Sequence, residues 1–229
     1  KAQIDRLVSD GMEQEEALYK VLKETIIASQ NIRFEGDGYS DEWKDEAARR
    51  GLTNICHVPE AIMKFNDPQS RSVLIGEKIF NENELNCRIE VELEKFTKKV
   101  QIESRVLGDL AINHIVPTAV IYQNRLLENL RGLKEIFSTE EYEEMTADRK
   151  DLVREIQRRI LSIKKAVHDM TEARKVANHL GSQVEKAFSY EEKVRPYLEE
   201  IREHIDSLEL EIDDEIWPLP KYRELLFTK

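Results

Sequence analysis

The chain has 229 residues, 40% hydrophobic and 35% charged, with eight glycines, six prolines and a formal net charge of −11. That is enough chain to bury a sizeable core, and the scarcity of breakers favours helices with charged outer faces over sheet. The acidic balance argues against a nucleic-acid binder: Lys and Arg are interspersed with Glu, and the doublets Lys98-Lys99 and Arg158-Arg159 stand isolated as solvated helix faces. There is no run of about 18 apolar residues, so no membrane span is expected, and no signal-peptide pattern precedes the first charges. Two cysteines without close pairing, Cys56 and Cys87, fit a reducing compartment, and the cytoplasm is the expected location.

In chain order, Lys1 stands where a methionine would begin a gene. Ile4, Leu7 and Val8 already lie on one side of a helix without a capping residue, so the start reads as a cut inside a larger protein. Glu13 to Gln30 carries Ala17, Leu18, Val21, Leu22, Thr25 and Ile26 at three- and four-residue spacing, a helix with one apolar face. Asn31 to Phe34 leaves that helix, and Gly36 and Gly38 permit a positive φ that other residues resist. Ser40 is a good N-cap, with Asp41 and Glu42 meeting the partial positive charge of a helix start. Arg49 and Arg50 close this helix and Gly51 stops it.

Pro59 and Pro68 each open a short helix. Asn81 caps a long pattern running from Glu84 to about Ile136, through Leu85, Ile89, Leu93, Phe96, Val100, Leu107, Leu110 and His114. Pro117 falls inside it and predicts a kink or break near Val116. Beyond Ser138-Thr139 a helix begins, and Asp148 to Leu180 repeats a seam of Val153, Ile156, Ile160, Ile163, Val167, Met170, Ala177 and Leu180, ended by Gly181. Pro196 to Ile216 carries a similar seam of Leu198, Ile201, Ile205, Leu208 and Ile212. These near-heptad spacings suit long antiparallel helices. The expected fold is all-α, a bundle of long antiparallel helices with short irregular segments near 31–40 and 217–222. No internal repeat or low-complexity tract is present. The closing Trp217-Pro218-Leu219-Pro220 cannot be helical before Tyr222, and its large apolar side chains need burial against this domain or a neighbouring one.

The irregular segments carry a family resemblance. Phe34-Glu35-Gly36-Asp37-Gly38-Tyr39-Ser40-Asp41-Glu42-Trp43, then Glu46-Ala47-Ala48-Arg49-Arg50-Gly51-Leu52, resembles the C-terminal region of type III glutamine synthetases, with its F-N-G-[DN]-G-Y-S-x-E-W and E-A-x-x-R-G-L segments. Pro59-Glu60-Ala61 is similar to the family's T-P-E-A-L-like turn. Leu85, Arg88, Glu90, Leu93 and Glu94 are similar to its following helix, and Ile115-Val116-Pro117-Thr118-Ala119 to its I-x-P-A stretch. Trp217, Pro218, Pro220, Tyr222, Leu225, Leu226 and Phe227 stand at the positions of its W-P-x-P-x-Y-x-x-L-L-F ending. The departures are Glu35, where the family usually has Asn, and Cys56-His57 before the Val-Pro turn.

The resemblance implies a part of a ring-shaped oligomeric enzyme of nitrogen assimilation that joins glutamate and ammonia, using ATP and a divalent metal, magnesium or manganese. No catalytic, cofactor-binding or metal-binding position of the family carries over onto this chain. Phe34, Gly36, Asp37, Gly38, Tyr39, Ser40, Trp43, Gly51, Pro59, Pro117 and the tail motif carry over as structural positions. The expected organisation is a helical lead-in from an upstream catalytic domain over 1–30 and a C-terminal helical domain over 31–229. Its expected partners are the catalytic domain and sister subunits of the same enzyme, with no nucleic acid and no membrane.

The residues themselves leave other chemistry thinly supported. His57, His114, His168, His179 and His204 lack the three- or four-residue spacing of a helical metal site. The acidic runs around Glu140–Glu144 and Glu211–Glu215 read as solvated faces rather than convergent acid–base pairs. Glu35 to Asp41 lacks the alternating oxygens and terminal Glu of a calcium loop, and has no Gly-Lys-Ser/Thr of a phosphate loop. It reads as a structural turn, with Tyr39 and Trp43, four residues apart and able to share a helix-start face, as packing anchors. A free-standing helical interaction module is the alternative function. A metalloenzyme in a helix bundle ranks last, because Glu203 and His204 are adjacent rather than three apart.

Overall fold

The computed structural model describes residues 1–226 and is helical throughout, with no strand among them. The chain divides into two compact units, Lys1–Cys56 and His57–Lys229. The first holds α1 (Ala2–Ser9), α2 (Gln14–Ala28), a 3₁₀ turn (Gln30–Ile32) and α3 (Asp41–Arg49). As the sequence predicts, α1 has no side-chain cap, Ser40 caps α3 through the Trp43 N–H, and Asp41 and Glu42 fill the first turn. At the other end of α3, Gly51 has φ +71°. Its N–H donates to the Ala48 carbonyl at 3.1 Å and that of Leu52 to Ala47 at 2.8 Å, the paired bonds of a Schellman stop.

The second unit opens with α4 (Val58–Met63) and α5 (Pro68–Gly76), each with a proline in its first turn. Three long rods follow. The first joins α6 (Glu82–Leu110), a π-helical turn (Ala111–Ile115) and α7 (Val116–Ile136). The second is α8 (Thr139–Asn178), 40 residues, roughly 60 Å at the helical rise. The third joins α9 (Gln183–Ser189), a second π turn (Tyr190–Val194) and α10 (Arg195–Glu211). Both α6 and α8 begin with complete capping boxes, Asn81 with Glu84 and Ser138 with Glu141.

Side-chain bonds fix the directions of the rods. Gln123 of α7 reaches the Val153 carbonyl of α8, and Arg149 of α8 reaches Asn129 of α7, so these helices are antiparallel. Gln183 meets Thr97 and Arg125 meets Asp213, so the third rod runs alongside the first in the same direction. The main core contains Ile115, Ile156, Ile163, Met170, Tyr190, Ile201 and Leu208. A smaller one, Leu85, Ile89, Leu93 and Ala187, sits under α4 and α5 with Ile62, Leu74 and Phe80 packed on it. The buried stripe of α6 continues through Thr97, Ser104 and Gly108, where small side chains replace large ones. The Thr97 and Ser104 hydroxyls donate back to the carbonyls of Leu93 and Gln101.

Four local expectations change. Pro117 is accommodated by the π turn before it, with the helix continuing on both sides; the Val116 N–H donates to the Ala111 carbonyl five residues back. The widened turn gives room to a ring that would otherwise meet the carbonyl four residues behind it, and absorbs the missing donor. Pro196 repeats the device, with the Arg195 N–H donating to Tyr190. The last long helix therefore begins before Pro196, and it ends at Glu211 rather than at Ile216: the Asp213 carboxylate accepts from the Glu215 N–H at 3.0 Å and turns the chain. His114, placed by the sequence on the apolar stripe, is exposed because the π turn rotates the register. Finally, α8 stops at Asn178, and Gly181 follows in the loop without a positive φ.

Candidate functional site

The Phe34–Trp43 turn is built from the carboxylate of Asp37 outward. Its Oδ1 accepts from the Tyr39 N–H at 2.9 Å, and its carbonyl accepts from the Ser40 hydroxyl at 2.9 Å. Ser40 Oγ in turn accepts from Trp43 at 3.3 Å, so one short polar chain both closes the turn and starts α3. Phe34 lies against Trp43 with ring centroids 4.2 Å apart. Tyr39, expected to share that face with Trp43, is 96% exposed; it sits in the turn before the helix and so lies off the helical face. Gly36 and Gly38 do not use a positive φ. A Cβ at Gly36 would come within 2.5 Å of the Phe34 ring, so any larger residue there would displace that ring from its present position. Gly38 faces open space.

Arg50 ties this turn to the end of α2. Its Nη1 donates to the carbonyls of Arg33 at 2.5 Å and Asn31 at 3.3 Å, while its Nε bonds Glu46. Glu46 also accepts both guanidinium arms of Arg49. Those bonds, first from Arg49 and then from Arg50, hold the Glu46 carboxyl down from an ordinary 4.5 to about 2. The sequence pointed to Arg49 and Arg50 as end charges; the clamp was missed because its acceptors are backbone carbonyls, which leave no residue-type signal.

At the far end, Trp217 is buried in the main core with Ile216 and Leu219 packed beside it, and the Lys221 ammonium lies 5.9 Å from its ring. Lys221 also donates to the Glu209 carbonyl at 2.7 Å, pinning the extended segment to the end of α10. Pro218 and Pro220 are exposed, Tyr222 opens α11 (Tyr222–Leu225), and Leu225 and Leu226 are exposed. Phe227 lies outside the described residues. Pro59 is buried in the first turn of α4, and Pro117 is exposed.

Sequence reasoning missed a polar cluster around the second π turn. Glu191 is buried there, with Oε1 accepting from Arg195 at 2.7 Å and lying 2.8 Å from His57 Nδ1; its Oε2 has no protein partner. On the same turn, the fully buried Tyr190 donates its hydroxyl to Asn178 at 2.8 Å and accepts from Gln101 at 3.1 Å. A π turn places two consecutive residues inward where an α-turn would send one to solvent. No spacing rule in the sequence announces that. His168 and His179 are exposed, the latter bonded to the Lys175 carbonyl, and His204 lies 3.4 Å from Arg159. Cys56 and Cys87 are free and exposed. Surface hollows of about 640 Å³ and about 410 Å³ lie beside Phe80, Cys87 and Val91 and between Val58, Phe96, Val100 and Arg195 respectively. Among the described residues, no three His, Cys, Asp or Glu side chains converge as metal ligands, and no helix is long and apolar enough to cross a membrane.

An all-α chain with three long rods, an aromatic-anchored turn and a proline-rich tail thus matches the class of helical domain that its motifs resemble. The glutamine synthetase C-terminal domain model matches residues 17–134, just over half of the chain. The chain is 73% identical, over its whole length, to a glutamine synthetase of Bacteroides fragilis, covering 31% of that protein. It is 27% identical to a type-3 glutamine synthetase of Dictyostelium discoideum over 93% of this chain and 29% of that one. A glutamine synthetase of Butyrivibrio fibrisolvens is 28% identical over 95% of this chain and 31% of its own length. The chain belongs to the glutamine synthetase C-terminal domain family, and it spans about a third of the length of the curated relatives it matches.

Proposed function

We propose that this chain is the non-catalytic, oligomer-contact portion of a glutamine synthetase, an ATP-dependent glutamate–ammonia ligase of nitrogen assimilation acting in the cytoplasm. Residues 1–30 serve as the lead-in from an upstream catalytic domain and 31–229 as the C-terminal helical domain. ATP and magnesium or manganese belong to the upstream domain. No chemical step is assigned to the residues here, because no catalytic position of the family they resemble carries over onto them. The partners are that catalytic domain and sister subunits.

The observation that carries this reading is the outer face of α2. Leu18, Leu22 and Ile26, one turn apart, are 44%, 51% and 51% exposed, with Tyr19 and Ile27 beside them, while only Ala17 of that helix is buried. An apolar stripe of this kind marks a contact surface, and relatives about three times as long supply the chain to cover it. The test has two arms. The 229-residue chain is assayed for glutamine formation with ATP and either metal, and none is expected. In the full-length enzyme, Leu22→Asp with Ile26→Asp is followed by light scattering, and a loss of oligomer is expected. Glutamine made by the chain alone, or an unchanged oligomer in the variant, would sink the proposal.

A further inference from the structure

The first rod turns a stripe through Leu93, Val100, Gly108, Ile115 and Ala119 into the cores. On its opposite side Ile102, Val106 and Ile121 are 61%, 52% and 52% exposed, and Val91 and Pro117 are exposed as well. The π turn lies at the middle of this outer side. Its added residue holds back the helical phase, so the α7 positions stay on the same side of the rod as the α6 ones. The α2 stripe belongs to the first unit, so this second apolar surface is not accounted for by it.

The exposed positions are palindromic in spacing. Backwards from Val106 they are Ile102, Lys99, Lys95 and Val91, at steps of four, three, four and four. Forwards from Pro117 they are Ile121, Asn124, Glu128 and Gly132, at the same steps. Two rods laid antiparallel about a two-fold axis through the π turn therefore match one series against the other. Val106 meets Pro117 and Ile102 meets Ile121, an apolar centre on each side of the axis. Lys99 meets Asn124, and Lys95 meets Glu128, whose long side chains bridge the wider gap about 25 Å from the axis. Val91 meets Gly132, where a Cβ would find only open space.

The charges on this surface are available. Lys95 and Lys99 are held by exposed acids of their own helix, Glu92 at 2.8 Å and Glu103 at 4.0 Å, pairs that weigh little in water. Among the described residues Glu128 has no ion-pair partner. Near the axis the Asp109 carboxylate already accepts from the Asn113 amide at 2.6 Å, which tempers the approach of its symmetry mate. A parallel pairing would set Lys95 on Lys95 and Glu128 on Glu128, so the charges select the antiparallel one.

We propose that the outer side of the first rod docks a second copy of this chain, the two rods lying antiparallel about a two-fold axis at the π turn. This pairing does not depend on the α2 contact.

The test uses the 229-residue chain carrying Leu22→Asp and Ile26→Asp, so that the α2 stripe contributes nothing. Sedimentation equilibrium is expected to show a monomer–dimer equilibrium that Val106→Glu with Ile121→Glu abolishes. Both side chains are exposed, and an unchanged melting temperature confirms that the fold survives. Lys95→Glu alone and Glu128→Lys alone are each expected to weaken the dimer about tenfold, and the two together to restore it. Direction is read by oxidation after Cys56→Ala and Cys87→Ala. Ile102→Cys with Ile121→Cys should give a covalent dimer, and neither cysteine substitution alone should. A chain that stays monomeric up to its highest soluble concentration would overturn the proposal. So would a dimer indifferent to the glutamates, a charge swap without rescue, or cross-linking by a single substitution.

Discussion

The two compact units solve the problem of holding helices together in different ways. In His57–Lys229, buried aliphatic side chains run the length of three rods, and Ile156, Ile163, Ile201 and Leu208 are wholly buried. In Lys1–Cys56 the buried hydrophobic residues described are two alanines, Ala17 and Ala47. That unit depends instead on local polar devices: the Ser40 cap, the Schellman stop at Gly51, and the Arg50 clamp on two carbonyls. The second unit has the features of an autonomous core, whereas the first has the features of a segment completed by something else.

Each unit holds one of the chain's two tryptophans, Trp43 in the first and Trp217 in the second, so the comparison can be broken optically. The largest effect is expected from Ile163→Ala, which removes a wholly buried side chain from the middle of α8. Its cost is about 4 kcal/mol. In urea unfolding the Trp217 transition should move sharply while the Trp43 transition stays in place. A common shift of both signals would show that the units melt as one.

Ser40→Ala tests the local devices of the first unit. It deletes the acceptor for the Trp43 N–H and is expected to cost about 1 kcal/mol. The loss should be seen by Trp43 fluorescence in a Trp217→Phe background. Equal stability with and without the hydroxyl would remove the cap from the account.

The smallest expected effect is a pH dependence. Because the Glu46 carboxyl is held at about 2 in the folded unit, against an ordinary 4.5, its contribution is present in full above 4.5. It is lost as the pH falls toward 2. Acid titration of the Trp43 signal should therefore show a loss of stability in that window, and Glu46→Gln should flatten it. Glu46 is partly exposed to solvent, which screens its pairs with the arginines, so a modest amplitude is expected. An identical acid profile in the variant would assign the loss to other carboxylates.

The sequence made legible whatever acts within one helical turn. The caps at Ser40 and Asn81, the stop at Gly51 and the prolines opening α4 and α5 are all local to one helix end, so spacing alone declares them. The seam of α8 was legible for the same reason. The response to Pro117 was not: a kink and a π turn both answer a missing donor, and the choice between them depends on what packs against Ala111 and Ile115, which are fully buried. The partner of Trp43 was misplaced because Tyr39 is closer in sequence, whereas the turn at Asp37 brings Phe34 back instead.

What the sequence by itself determined was therefore the helices, most of their ends, their apolar faces and, through two irregular motifs, the family. Only the tertiary structure decided which distant side chains meet. It set Glu191 against His57 and Arg195 and buried Tyr190 under Gln101 and Asn178. Caps and seams arise from interactions along one chain segment, whose geometry the backbone fixes locally. Cross-rod pairs depend on the register of whole helices, and a π turn shifts that register without leaving a pattern in residue spacing.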